Sequence, residues 1–213
     1  MRRTTAYTLV AILAVGLLWM GSSAPVAALE NAWGYNYDAN QASYAAIETA
    51  NPAIRDGGFS YMRTGVQRII NGNVYYVEIG WYVSASNPNP RYHWTYRATN
   101  GVIDSGEGGA PGCCNGYNYQ VLNVGAGDWQ IFYNDLSTPV VTVGTGFDTA
   151  DDYFSGGETS SASNAMGISG NWNVSYRQNG TWYCACDWQP YITNSVYYVA
   201  GINNTSWQVG GNN

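Results

Sequence analysis

Lysine is absent from this chain: all eight basic residues are arginine, set against 14 acids in 213 residues. Charge of either sign is scarce, at 10% of the chain against roughly 25% in an ordinary globular protein. A P-loop needs a lysine after its glycines, so that nucleotide chemistry is excluded. A nucleic-acid groove needs clustered cations to release counterions, and a net charge of −6 without lysine supplies none. One histidine leaves no room for a multi-histidine zinc site, and no metal or other cofactor is expected. The low charge does not signal disorder, because 46% hydrophobic residues suffice for a core.

Aromatic residues are plentiful instead, at 15%, with 19 Tyr and 9 Trp against 4 Phe. The first 28 residues read as a signal peptide. Arg2 and Arg3 form a positive start, and Leu9 to Met20 is an apolar run too short for a comfortable span. Gly21 to Ala28 closes on small residues, with Val26 and Ala28 suited to a cleavage site. The expected mature protein, 29–213, is about 185 residues long, one secreted extracellular domain. It carries a net charge of about −8.

Four cysteines fall as an adjacent pair, Cys113 and Cys114, and a one-spaced pair, Cys184 and Cys186. Adjacent cysteines bridge only with strain. Two disulfides joining one pair to the other are therefore expected, tying 106–118 to 178–190.

Gly, Asn and Pro punctuate the chain at Asn71–Gly72–Asn73, Asn87–Pro88–Asn89–Pro90, Gly108–Gly109, Gly125–Gly127, Gly156–Gly157 and Asn179–Gly180. Between them lie segments rich in Val, Ile, Thr, Tyr and Trp at 59–70, 74–83, 92–99, 119–124, 128–134, 140–145, 172–177 and 195–201. Such spacing predicts an all-β, antiparallel sandwich of concanavalin or jelly-roll type. The alanines of 40–50, ahead of Pro52, allow one short helix at most.

In 74–83, alternation puts Tyr75, Val77, Ile79, Trp81 and Val83 on one bulky apolar face. Tyr76, Glu78, Gly80 and Tyr82 occupy the other. A mid-strand carboxylate between two tyrosines gains nothing obvious for the strand. A second one, Glu158, follows Gly156–Gly157, where the backbone can approach a ligand closely.

These residues resemble a known family. Tyr76–Val83 is similar to the Glu-Ala-Gly-Trp strand of neprosin-type glutamic endopeptidases. Phe154–Glu158, followed by Ala165–Gly167, is similar to that family's Gly-Gly-Glu and Met-Gly motif. Ala42–Arg68, Arg91–Gly101 and Trp172–Gly180 resemble its flanking segments, so the likeness spans roughly 40–180. It implies a β-sandwich peptidase acting in acid and cutting next to proline. Unlike the family's plant members, which carry a long propeptide, this chain has only about a dozen residues between the expected signal peptide and the matching region, so no pro-domain is expected. Glu78 and Glu158 would be its catalytic pair, with Tyr76, Tyr82, Trp94 and Tyr96 lining the groove. The expected partner is a peptide or protein substrate, met by a monomer away from membranes and nucleic acid.

Physical chemistry allows such a pair to work. Two carboxyls facing one groove titrate together. The ionised one takes a proton from the attacking water, and the protonated one donates to the substrate. Both must reach the reacting atoms, which requires them to lie within about 10 Å of each other. Paired carboxylates also serve a jelly-roll glycoside hydrolase, and a non-catalytic carbohydrate-binding sandwich remains a further alternative. His93 has no serine elbow near it and reads as structural. Asp148, Asp151 and Asp152 read as a solvated acidic turn without calcium-loop spacing.

Overall fold

The apolar face expected of 74–83 is buried: Val77, Ile79 and Trp81 expose nothing and Val83 only 1%. They pack against a second sheet in a two-layer β-sandwich, described here over residues 29–212 of a computed structural model. Residues 1–28, where a signal peptide is expected, lie outside the described residues.

Among the described residues, fifteen strands make the two layers. They are β1 (Glu30–Asn36), β2 (Ala42–Glu48), β3 (Phe59–Ile70), β4 (Asn73–Ser84), β5 (Asn87–Arg97), β6 (Ile103–Glu107), β7 (Gly116–Gly125) and β8 (Asp128–Tyr133). There follow β9 (Val141–Gly144), β10 (Asp152–Thr159), β11 (Ser169–Gln178), β12 (Thr181–Cys184), β13 (Gln189–Ile192), β14 (Tyr197–Asn203) and β15 (Ser206–Gly211). One sheet runs β13-β1-β10-β3-β4-β5-β6. The other runs β14-β15-β11-β2-β7-β8-β9, with β12 also paired to β11. Neighbours are antiparallel throughout, for example across β3–β4 and β3–β10.

The core between the layers holds Met62, Val66, Ile79, Trp81, Tyr119, Val121, Trp129 and Trp207. Tryptophan N–H groups buried there find carbonyls: Trp81 Nε1 donates to Glu48 O at 2.9 Å, and Trp129 Nε1 to Phe147 O at 2.8 Å. This lets these two indole rings fill the layer with their N–H groups paired.

Three expectations are corrected. The alanine segment is not a helix; β2 is a strand held between β7 and β11. Ser43, Ala45 and Ile47 are buried toward the core, so hydrogen bonding on both edges overrides alanine's helix preference. Gly156–Gly157 is no turn but the middle of β10. Asn87–Pro90 begins β5 rather than separating strands.

The cysteines also pair differently. Cys184 bridges Cys186, while Cys113 and Cys114 are exposed free thiols. The reason is topological. Cys184 sits opposite Ser175, whose β2 partner is Tyr44, whereas the Cys113–Cys114 loop enters β7 beside Glu48 at the far end of β2. Three strand spacings and four residues of strand separate the pairs, on the order of 20 Å, far beyond the ~7 Å reach of a disulfide.

Candidate active site

The outward face of the first sheet carries a single cross-strand row. Tyr191 pairs with Trp33, Trp33 with Gly156, Gly156 with Arg63, Arg63 with Gly80, Gly80 with His93, and His93 with Glu107. Paired residues share a face, so these side chains all rise from the same floor. Glycine on both sides of Arg63 keeps that floor clear. A Cβ on Gly80 would meet Met62 O at 1.8 Å, and one on Gly156 would meet Ala32 O at 2.4 Å.

Glu78 and Glu158 sit diagonally beside Arg63, on the two strands that flank β3. Glu78 pairs with Gly65 across β3–β4, and Glu158 with Tyr61 across β3–β10. Arg63 Nη1 donates to Glu78 Oε1 at 2.9 Å and Nη2 to Glu158 Oε2 at 2.5 Å. The terminal nitrogens of a planar guanidinium are about 2.3 Å apart, so the bonded oxygens lie within about 8 Å of each other. That separation is inside the limit for two groups serving one substrate bond. The other oxygen of each carboxyl has no hydrogen-bond partner among the described residues.

All three charges are buried, with 7% of Arg63, 4% of Glu78 and 5% of Glu158 exposed. The rings of Tyr61, Trp33 and Phe154 surround the guanidinium at 5.2, 5.4 and 5.5 Å. Burial raises both carboxyls above the ordinary range, and the Arg63 charge only partly offsets it. Glu78 also feels the charge of Glu158 and is pushed up to about 7.

Tyr76 and Tyr82 share the face of Glu78. Trp94 and Tyr96 do not: they pair with Ile79 and Val77 and pack on the core, beside Tyr92, which stacks on Tyr133 of the second sheet. The same alternation that buries Val77 and Ile79 turns them inward, and they leave the proposed groove lining.

In their place stands His93, stacked on Tyr82 at 5.2 Å and edge-on to Tyr61 at 5.3 Å. Burial and the Arg63 charge hold His93 down to about 4, so it is neutral over most of the pH range. Its Nδ1 is 3.9 Å from Glu107 and has no hydrogen bond. Trp33, stacked on Tyr191 at 5.3 Å, walls the opposite side.

Sequence reasoning missed Arg63. The signal was present: alternation against Met62 and Val66 puts Arg63 on the outward face of β3, mid-strand, where a cation has no structural reason to be. Asp152 is corrected as well. It is not solvated but fully buried at the start of β10, where Gln67 Nε2 donates to it at 2.9 Å. Asp151 instead pairs with Arg68 at 2.6 Å. Among the described residues, no group of three or more His, Cys, Asp or Glu side chains is placed to hold a metal ion.

The fold has solved counterparts. The chain is similar to a scytalido-glutamic peptidase solved with a transition-state analog inhibitor, at a TM-score of 0.63 and 11% identity. That likeness covers 85% of this chain and 98% of the other. A complex of scytalido-glutamic peptidase with a peptide-based transition-state analog gives 0.62 and 10%, over 84% and 97%. SCP-B, a member of the eqolisin family of peptidases bound to the tripeptide Ala-Ile-His, gives 0.58 and 10%, over 84% and 97%. At such identities the likeness establishes the fold. No family model and no curated protein sequence matches the chain.

Proposed function

We propose that this chain is a glutamic peptidase, exported and acting in acid, with Glu78 and Glu158 as its catalytic pair. The observation that carries the reading is two buried carboxyls, on strands flanking β3, brought to one guanidinium on the clear floor of a glutamic-peptidase fold. A scaffold gains little from such a cluster, since burying charge is unfavourable unless function requires it.

The environments divide the roles. We assign Glu158, held closest by Arg63, as the ionised base and Glu78, pushed up to about 7 chiefly by burial, as the proton donor. Water attacks the scissile carbonyl carbon and passes a proton to Glu158, while Glu78 protonates the carbonyl oxygen. On collapse, Glu158 returns its proton to the departing nitrogen. Glu78 recovers one from the diol as the C–N bond breaks. Tyr82, His93 and Tyr61 on one side, and Trp33 on the other, offer flat faces suited to a proline ring next to the cleaved bond.

The test is a peptide-library digest at pH 3 to 5 with wild type, Glu78→Gln and Glu158→Gln. The wild type should cleave, and each variant should lose at least about a thousand-fold in kcat/KM. Unchanged cleavage in either variant overturns the pair.

A further inference from the structure

Arg63 is a poor stabilising device. A buried ion cluster commonly adds less stability than packed apolar residues of the same volume. Yet three aromatic rings enclose this guanidinium, and two glycines flank it on the neighbouring strands. Its fork is divided between the two acids, with one terminal nitrogen to each. Strand β3 keeps β4 and β10 from pairing with each other, and among the described residues no side chain other than Arg63 bonds to both carboxyls. A lysine ammonium has donors enough for two carboxyls but no rigid fork, so it would not fix the spacing between them as the planar guanidinium does. Two of its five N–H donors are bonded to the carboxyls and the buried Nε–H has no partner, so the contacts this arginine makes here are with the glutamates.

Charge counting gives the second half of the argument. With both carboxyls ionised, the trio carries one net negative charge; with one proton it is neutral. On a floor with little water, the neutral state is favoured. One proton on two carboxyls is also the state that acid-plus-base catalysis needs.

We propose that Arg63 is a positioning residue that holds the two glutamates within reach of one bond and sets the pair to carry a single proton. This rests on the two-glutamate reading above. The titratable and charged groups on the face of the trio are Tyr76 and Tyr82 from β4, Tyr61 from β3, Arg91, His93 and Arg97 from β5, Glu107 from β6, Tyr35 from β1, Asp152 from β10 and Tyr191 from β13. β1 adds the uncharged Asn31 and Trp33 to this face, and Phe154 of β10 is apolar. His93 is neutral in the working range and Tyr61 and Tyr76 are protonated. Arg91 lies 3.8 Å from Glu107. Among the described residues neither Arg91 nor Arg97 bonds Glu78 or Glu158, so Arg63 is the cation in contact with the pair.

The chain has only five glutamates, which makes the titration readable by carboxyl-carbon NMR of glutamate-labelled protein, with Glu78→Gln and Glu158→Gln to assign signals. In the wild type, the two midpoints should lie at least about two pH units apart. Arg63→Gln should raise both by about one unit or more, because the favourable cation is gone. Arg63→Lys keeps the charge, so its midpoints should stay within about half a unit while kcat falls at least about ten-fold at little changed KM.

Unmoved midpoints in Arg63→Gln, or full kcat in Arg63→Lys, overturn the proposal. If Arg63→Gln does not fold, Arg63→Lys decides alone. A wild type that titrates as described but cleaves no peptide refutes the peptidase reading and supports the charge-setting role. One that cleaves peptides while Arg63→Gln leaves the midpoints in place refutes the role of Arg63 and not the peptidase.

Discussion

Glu78 and Glu158 stand on strands that are not neighbours, yet each bonds the same guanidinium, at 2.9 and 2.5 Å. Two carboxyls in direct contact would share a proton between their oxygens. Here a cation separates them, bonding one oxygen of each.

The proposed roles fix the expected pH dependence of activity. As the proton donor Glu78 would have to be protonated, and its carboxyl is raised to about 7 by burial and by Glu158. kcat/KM should therefore fall as pH rises through about 7, with an acid limb lower down where Glu158 gains its proton. A pH–rate profile on a fixed peptide checks this; activity that keeps rising above pH 8 contradicts it.

Stability should move in the same direction. Glu78, Glu158 and Asp152 are all raised in the fold by burial. A raised acid stabilises the folded state below its unfolded value, near 4, and that stability is lost as pH climbs through the folded value. His93 is depressed to about 4, so its contribution is present above about 6.5 and lost toward pH 4. Three acids outweigh one histidine, and Tm at pH 5 should exceed Tm at pH 7 by about 2–6 °C. His93→Gln should enlarge that difference. Calorimetry across pH 4 to 8 reads both.

The two faces of the β4–β5 pair predict opposite phenotypes. Trp94→Ala removes a ring packed on the core and should lower stability by about 3 kcal/mol, with KM unchanged in the folded fraction. Tyr82→Ala removes a half-buried ring over His93 and should raise KM several-fold at a smaller loss of stability. Denaturant titrations paired with steady-state kinetics separate the two.

The cysteine arrangement is checked by labelling. Alkylation of the native protein should add two groups, at Cys113 and Cys114, and alkylation after reduction should add four. Reducing Cys184–Cys186 should lower stability by no more than about 2 kcal/mol, because so short a loop constrains the unfolded chain little. Intact mass and a thermal melt in reductant measure the two expectations.

Much of this architecture was legible from pattern. Residues 59–70 were delimited as the strand they form, and alternation in 74–83 separated Glu78 from the buried Val77, Ile79 and Trp81. The same rule, followed through β5, would have placed Trp94 and Tyr96 with Tyr92 on the core side and His93 on the floor. The β10 strand escaped notice because paired glycines usually mark a turn. Here they lie opposite Met62 and Arg63, where a side chain would collide with the neighbouring strand or the core.

The sequence by itself determined the class of fold, the scarcity of cations and the face that Glu78 takes, since composition and two-residue alternation are local properties. Tertiary structure alone decided that Arg63 stands between Glu78 and Glu158, and that the two cysteine pairs lie too far apart to bridge. Both depend on strand order and register. Antiparallel pairing brings together residues 95 positions apart, as in Arg63 and Glu158, and no local pattern encodes which strands become neighbours.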